Sequence, residues 1–208
     1  MKQMVIGALM LIAVSAAAGE EPRGYMGAGL GASKYSGICD GLPPQYSCDD
    51  SGFGGKFYAG YLFLPYLGVE GSYFNFGHGS APAYIVNPPA GTTALTGQAD
   101  VKSYAFAISV VGRLPLGPAF IDGRVGYAGV TASVSGNAPV QNTTTGAITY
   151  YDAATRDSSG QFIYGAALGY NFGSAWTVRL DWDRTKGNDG RNPEFDIDLF
   201  SLGVAYRY

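Results

Sequence analysis

The only histidine of the chain, His78, stands two residues before Ser80 in the segment FGHGS, and this pair could supply a base and a nucleophile. A nucleophilic serine needs a base, and the base needs a third group that holds it in the correct orientation. The next acidic residue is Asp100, beyond a stretch rich in Pro, Gly and Thr. Because no third member stands nearby, the pattern favours a loop residue over a catalytic centre.

Two further segments match ligand-binding motifs only in part. GAGLGA at 27–32 has the glycine spacing of a dinucleotide-binding turn, but that motif must open a helix, and the following SKYSGICDG does not form one. The acids of NDGRNPEFDID do not have the spacing of a known calcium loop, which supplies six or more oxygens. We therefore predict no cofactor and no metal; the acids expected to be solvated are Asp189, Glu194, Asp196 and Asp198.

The N-terminal segment has the three parts of a secretory signal peptide. Lys2 is followed by an apolar run at 4–14 and by alanines at 16–18. The run is shorter than the roughly 20 residues that a transmembrane helix needs. We predict a signal peptide at 1–18 and one exported domain at 19–208. Without Lys2, 12 of the 13 basic residues remain against 16 acidic ones, a net charge of −4, which argues against nucleic acid as a partner.

Cys39 and Cys48 are the only two cysteines. In an exported protein, an isolated and closely spaced pair is typical of a disulfide. A metal site would need further ligands, and the residues between the cysteines include no histidine. We predict a Cys39–Cys48 disulfide.

The elements that must position these residues alternate between apolar and polar or small side chains, which is the period of a β-strand. The clearest segment is AWTVRLDWD at 175–183, where Trp176, Val178 and Leu180 share one face and Arg179 and Asp181 share the other. The eight predicted strands are 25–33, 56–64, 68–76, 102–114, 119–132, 161–171, 176–183 and 195–208.

The connections between these strands alternate between short and long. The short ones are 64–67, 114–118 and 172–175, and the long ones are 34–55, 77–101, 133–160 and 184–194. An outer-membrane barrel has an even strand number, short periplasmic turns and long external loops. We therefore predict an all-β protein, an eight-stranded antiparallel up-and-down transmembrane β-barrel. A lipocalin-type soluble barrel would instead present polar outer faces.

The sequence resembles the small eight-stranded outer-membrane barrels related to the transmembrane domain of OmpA. The resemblance is carried by FYAGYLFLPYLGVEGSYFNFG at 57–77, FIYGAALGYNFG at 162–173 and the closing SLGVAYRY. Gly203, Tyr206 and Tyr208 resemble the carboxy-terminal signal read by the barrel-assembly machinery. The larger relatives continue into a peptidoglycan-binding domain that this sequence does not contain, so cell-wall tethering is not expected.

The resemblance implies an outer-membrane protein with both termini in the periplasm, in contact with membrane lipid and lipopolysaccharide. The leading hypothesis is a non-catalytic barrel that supports the envelope and displays its loops to an unidentified surface receptor. The alternative is a narrow pore for ions or very small solutes, and a lipid-modifying enzyme comes third. An aromatic girdle beside the short turns is expected from Tyr25, Tyr66, Trp176, Tyr206 and Tyr208.

Inward-facing charges distinguish a plugged lumen from an open one. The alternation places five charged residues on the inner face at similar depth: Glu70, Asp122, Arg124, Arg179 and Asp181. A confined charge is costly unless it is paired, so we expect a network that closes a polar lumen. The related barrels suggest a switchable gate as the other interpretation.

Overall fold

The computed structural model describes residues 23–37, 39, 48–83, 89–187 and 195–208. The predicted signal peptide and the acids Asp189 and Glu194 lie outside these ranges. Across the described ranges, no helix has the length and apolar character to cross a membrane.

Eight long strands close into a ring, and each pairs antiparallel with its neighbours in sequence order. The first ring strand pairs with the last, which confirms the predicted eight-stranded up-and-down barrel. A ninth, three-residue strand was not predicted. The strands are β1 (Gly24–Ser36), β2 (Ser51–Leu64), β3 (Leu67–Ala83), β4 (Thr92–Ala94), β5 (Gly97–Leu116), β6 (Ala119–Asn142), β7 (Ile148–Phe172), β8 (Trp176–Gly187) and β9 (Phe195–Arg207).

The ring closes where β1 meets β9, and this seam is built from small inward residues. Gly29 lies opposite Gly203, while the outward Leu30 lies opposite Leu202. A Cβ atom at Gly31 would collide with the carbonyl oxygen of Phe200. Glycine therefore permits the close backbone approach that the seam requires.

The outer surface of the ring is apolar. Ile108 is 75% exposed and Phe162 is 74% exposed, and the outward Trp176, Leu180 and Leu202 are exposed as well. A contiguous apolar surface of this kind does not occur on soluble monomers unless something covers it. In a transmembrane barrel, lipid covers this surface. The closed ring can lie in lipid because closure leaves no strand edge with unpaired backbone groups.

The two ends of the barrel differ in their connections. Residues 65–66, 117–118 and 173–175 form three tight turns at one end, called here the short-turn end. Gly117 and Gly173 have φ of 70° and 59°, a left-handed conformation that glycine adopts without Cβ strain. The opposite end is called the long-loop end.

The long connections contain more strand than the sequence predicted. The stretch 133–160 was expected to be a loop, but β6 and β7 pair continuously from Ala119–Tyr170 to Gln141–Ile148. Within 77–101, β3 extends to Ala83, β5 begins at Gly97, and β4 pairs with β6. These extensions mix polar and apolar residues without a regular period of two, so hydrophobic alternation does not mark them, although β6 and β7 remain paired along theirs.

The barrel interior has three layers. A small apolar cluster near the short-turn end contains Tyr25, Tyr58, Leu62 and Ala205. Charged side chains occupy the middle. Towards the long-loop end, a larger apolar layer follows, formed by Tyr35, Phe74, Phe76, Val101, Ala105, Ala107, Ala128, Val130, Ala132, Ile163, Phe195, Ile197 and Leu199. The sequence predicts a polar lumen, and this is only partly right, because apolar layers lie on both sides of the charged one.

Candidate functional site

His78 and Ser80 both lie on β3, and the structure does not assemble a catalytic triad around them. Asp49 exchanges backbone hydrogen bonds of 2.9 and 3.0 Å with Ser80. Its carboxylate accepts hydrogen bonds from the hydroxyl and the backbone N–H of Ser51, and these hold the pKa of Asp49 below its usual value. In the described part of the chain, no hydrogen bond joins His78 to Ser80 or to a carboxylate.

The glycine-rich segment and the two cysteines each lie in a structural element or a crosslink of the barrel. GAGLGA lies inside β1, which continues to Ser36 as a strand, so no helix follows the glycines. Cys39 and Cys48 are joined by a disulfide in the β1–β2 connection, with their Cα atoms 6.0 Å apart. Among the described residues, no group of three His, Cys, Asp or Glu side chains could hold a metal ion.

The densest polar arrangement is the charge layer in the middle of the lumen, and Arg179 of β8 lies at its centre. Its Nη1 atom is 3.0 Å from Glu70 Oε2, and its Nη2 atom is 2.7 Å from Asp181 Oδ1. The guanidinium also lies over the ring of Tyr58, 4.2 Å from the ring centroid. Arg179 therefore links β3 and β8 across the barrel and stacks on β2.

Arg124 and Lys56 complete the central part of this layer. Arg124 donates from Nη1 to Asp181 and from Nη2 to Asp183, both at 2.7 Å. Lys56 Nζ lies 2.9 Å from Asp181 Oδ1 and 2.7 Å from Asp183 Oδ2. The two aspartates thus bridge three cations that come from β2, β6 and β8.

Asp122 lies apart from this central group. It accepts two hydrogen bonds of 2.8 Å from the Nε and Nη2 atoms of Arg113 on the neighbouring strand. The Arg113 guanidinium stacks on Phe120 at 3.8 Å from the ring centroid. Asp122 and Arg124 are both inward on β6, and the register places Arg113 of β5 directly opposite Asp122.

The eight side chains of the charge layer balance in sign. They comprise four cations and four carboxylates: Lys56, Arg113, Arg124 and Arg179 against Glu70, Asp122, Asp181 and Asp183. Each carboxylate lies within ion-pair distance of a cation, as buried charges require. The layer is therefore a neutral, hydrogen-bonded network, which suits a structural plug better than an ion pathway.

Three members of this layer were missed in the sequence: Lys56, Asp183 and Arg113. Asp183 was visible, because it shares the inward face of β8 with Arg179 and Asp181. Lys56 shares the inward face of β2 with Tyr58, but it stood at the start of the predicted strand, where the alternation is weakest. Arg113 stood one residue before the end of its predicted strand.

Tyr25 was expected in the lipid-facing aromatic girdle, and this prediction is wrong. It is only 4% exposed, and its hydroxyl donates to Glu70 Oε2 at 2.9 Å. Ser72 donates to the other oxygen of Glu70 at 3.2 Å. A Cβ atom at Gly60 would collide with the Tyr25 ring, so glycine at position 60 makes room for it. The sequence offered a signal, because Tyr25 has the same parity as the inward Gly27 and Gly29.

The acids near the long-loop end are not all solvated. Asp198, on β9, is buried and accepts two hydrogen bonds of 2.7 Å from Arg184 on β8. The indole N–H of Trp182 donates to the same carboxylate at 2.8 Å. This cluster is outside the lumen, because Arg184 and Trp182 have the outward parity of Leu180.

Known structures share this fold. Ail, the attachment invasion locus protein of Yersinia pestis, is 17% identical with a TM-score of 0.51, and the alignment covers 91% of this chain and 100% of Ail. Neisserial surface protein A is 14% identical with a TM-score of 0.57, covering 89% and 97%. OprG from Pseudomonas aeruginosa is 12% identical with a TM-score of 0.54, covering 90% and 97%. Comparison with curated protein sequences gives no match.

The family comparison extends over nearly the whole sequence. Residues 4–208 match the model of the outer membrane protein beta-barrel domain. The match includes the strands that form the ring and the apolar outer surface, and the structural neighbours are outer-membrane proteins with the same fold. The chain therefore belongs to the family of outer-membrane β-barrel domains.

Proposed function

We propose that this protein is a non-catalytic, closed outer-membrane barrel that supports the envelope and displays its long-loop end at the cell surface. The observation that carries the proposal is the pair of layers in the lumen. The neutral charge layer fills the middle, and the apolar layer covers it on the long-loop side. An eight-stranded barrel is just narrow enough for side chains to fill it.

The apolar layer is the stronger argument against a pore. Phe74 and Phe76 stack with ring centroids 5.5 Å apart, and Phe76, Ile197 and Leu199 are fully buried. An ion that crossed this layer would lose its hydration shell without gaining compensating ligands. The charge layer below it has no net charge that would attract an ion. Both layers therefore oppose conduction.

Conductance of the refolded full chain in a planar lipid bilayer tests this proposal. We expect no stable unitary conductance, and the same result for Arg179→Ala, because the apolar layer remains intact in that variant. Discrete openings of the wild-type protein would favour the narrow-pore alternative instead. If the conductance increased in Arg179→Ala but not in the wild type, the charge layer would be the plug, and the apolar layer would not be what closes the lumen.

We further propose that both termini face the periplasm and that the long-loop end faces outward. Support comes from the length of the β6–β7 hairpin, whose turn at 143–147 lies far from the short turns. A peptide tag inserted at 145 should be labelled on intact cells, whereas the same tag at 117 should be labelled only after the outer membrane is permeabilised. The reverse labelling pattern would overturn this orientation.

Lipopolysaccharide is the proposed partner on the outward surface near the long-loop end. Lys102, Arg156 and Arg184 lie there on outward faces, and Arg156 donates a hydrogen bond to the hydroxyl of Tyr104. Guanidinium and ammonium groups bind phosphate through charge-assisted hydrogen bonds. Lys102→Gln with Arg156→Gln should weaken co-purification with lipopolysaccharide, and unchanged co-purification would contradict this contact.

The barrel-assembly machinery is the proposed partner during insertion, through Gly203, Tyr206 and Tyr208. Tyr206 and Tyr208 are exposed on the outer face, and the Tyr206 ring contacts Trp176 with centroids 5.3 Å apart. Deletion of Tyr208 should lower the yield of heat-modifiable protein in the outer membrane. An unchanged yield would leave this signal without a role.

A further inference from the structure

Beyond the closed ring, strand β7 has one long edge that no described strand covers. Strand β8 pairs with β7 only from Phe172–Trp176 to Ile163–Thr185. Towards the long-loop end, β7 continues to Ile148 with β6 on one side alone. The outer edge of β6 differs, because β5 and then β4 pair with it. We call the segment Ile148–Gly160 the free β7 edge.

The connection between β8 and β9 is too short to cover the middle of this edge. Gly187 and Phe195 pair with each other, and seven residues join them. An extended residue spans about 3.4 Å, so seven residues that leave and return reach about 12 Å at most. Continued to Gly187, the β7–β8 register ends five residues short of Arg156, a distance of about 17 Å along the strand. The segment Asp152–Arg156 therefore lies beyond the reach of this connection.

Every second residue of the free β7 edge directs its backbone groups away from β6. The N–H of Asn142 donates to the carbonyl of Ala147 at 2.8 Å, and the N–H of Asn171 donates to that of Pro118 at 2.8 Å. Odd-numbered residues of β7 thus form the hydrogen-bonded pairs with β6. Because such pairs alternate along an antiparallel ladder, the even-numbered residues point their N–H and C=O groups to the other side. The segment contains no proline and no lysine, the residues that usually protect a strand edge.

The charges of this edge are complementary to themselves in one register. Two copies of a strand that pair about a two-fold axis place each residue opposite its counterpart in both directions. With the axis at Ala154, Asp152 of each copy lies opposite Arg156 of the other, and both have the outward parity of Phe162. Centring the pair on Asp152, Arg156 or Asp157 would instead oppose like charges, which is unfavourable. The charge pattern therefore favours the register centred on Ala154.

We propose that the free β7 edge binds a second copy of this chain, antiparallel and centred on Ala154. The backbone supplies the attraction, because even-numbered residues of the two copies form hydrogen-bonded pairs across the new edge. The two pairs of Asp152 with Arg156 select the register. In the single chain, the Arg156 guanidinium donates to the hydroxyl of Tyr104. In the pair it turns from this exposed hydrogen bond to a carboxylate, which forms a stronger, charge-assisted bond.

An antiparallel pair directs the two barrels away from each other. In each copy, the apolar ring begins near Phe162, at one end of the paired segment. The two rings therefore lie beyond opposite ends of the contact. Under the proposed outward orientation, the copies belong to facing membranes, and the contact joins two cells. This consequence rests on the proposed function, whereas pairing of the purified chain does not.

The test measures the mass of the refolded full chain in an uncharged detergent, by analytical ultracentrifugation over a range of protein concentrations. We expect a reversible equilibrium between monomer and dimer. Asp152→Arg and Arg156→Asp should each raise the dimer dissociation constant at least about tenfold, because each places like charges opposite each other twice. The variant that combines both substitutions should dimerise as the wild type does, and a mixture of the two single variants should form mixed dimers.

Two further variants separate strand pairing from general attraction between charges. Asp157→Arg makes the same charge change on the other face of β7, opposite Tyr151 in this register, and should leave the dimer unchanged. Ala154→Pro removes an N–H that faces the free edge rather than β6, so it should abolish the dimer while the hairpin stays paired.

A wild-type chain that is monomeric at all concentrations would overturn the proposal. Equal dimerisation of the wild type and both single charge variants would place the contact on another surface, and failure of the combined variant to recover would remove the register. If a single variant does not refold, the combined variant and Ala154→Pro still decide the outcome. A reversed orientation in the tag-labelling experiment would leave the result in detergent unaffected, so the two failures are distinguishable.

Discussion

Strand β8 carries two arginines that form similar ion pairs in different surroundings. Arg179 faces the lumen and is 1% exposed, with Glu70 and Asp181 as partners. Arg184 faces outward near the long-loop end, where its side chain is 34% exposed and pairs with Asp198. The bond lengths are comparable, yet a buried charge that loses its partner is much more costly than an exposed one. Burial, rather than geometry, separates the two pairs.

Arg179→Ala should have the largest effect, because it leaves Glu70 and Asp181 with fewer cations in a buried layer. We expect a loss of about 3–5 kcal/mol in the free energy of unfolding, the usual cost of breaking a buried ion pair. Urea unfolding in lipid vesicles, followed by tryptophan fluorescence and heat-modifiable gel mobility, measures it.

Arg179→Lys is the matched control, since it keeps the charge but loses the two-pronged hydrogen bonding and the stacking on Tyr58. It should be more stable than Arg179→Ala and less stable than the wild type. Wild-type stability of Arg179→Ala would show that the lumen pair contributes no more than a surface pair.

Gly60→Ala tests the packing that places Tyr25 on Glu70. The added methyl group would displace the Tyr25 ring and its hydrogen bond, so we expect a loss of about 1–3 kcal/mol by the same unfolding assay. Gly71→Ala is the control, because Gly71 faces outward and a Cβ atom there would meet only the carbonyl oxygen of Ala59, at 4.0 Å. Equal stability of the two variants would contradict the role of Gly60.

A double-mutant cycle of Arg179→Ala and Glu70→Ala measures how strongly these two partners act together. The double variant should be less destabilised than the sum of the single variants, with a coupling of about 0.5–3 kcal/mol. Strictly additive losses would show that the 3.0 Å contact carries no interaction energy. The same cycle with Arg179 and Asp198, which do not touch, should give no coupling.

Arg184→Ala should have the smallest effect. Only the Arg184 side chain of this pair is partly solvated, and Asp198, although buried, keeps its hydrogen bond from Trp182 after the change. We expect a loss of about 1 kcal/mol or less in the free energy of unfolding. A loss as large as that of Arg179→Ala would break the distinction between the lumen and the outer surface.

Local alternation predicted the ring strands and the face on which each charge lies. Arg179 and Asp181 were placed inward from β8 alone, because side chains of a strand alternate between two faces. The partner of Asp122 could not be obtained in this way. Inward residues at similar depth on two neighbouring strands are compatible with several registers. Only the register of β5 and β6 in the structure brings Arg113 opposite Asp122.

The eight-stranded ring, its short turns and the apolar outer face can be read from the amino-acid sequence, since each depends on neighbouring residues along one strand. The layering of the lumen, the choice of Glu70 as the partner of Tyr25, and the continued pairing of β6 and β7 beyond the apolar surface come from the three-dimensional arrangement. These features depend on which residues meet across a closed ring. Closure fixes that meeting through strand register and tilt, which no single strand encodes.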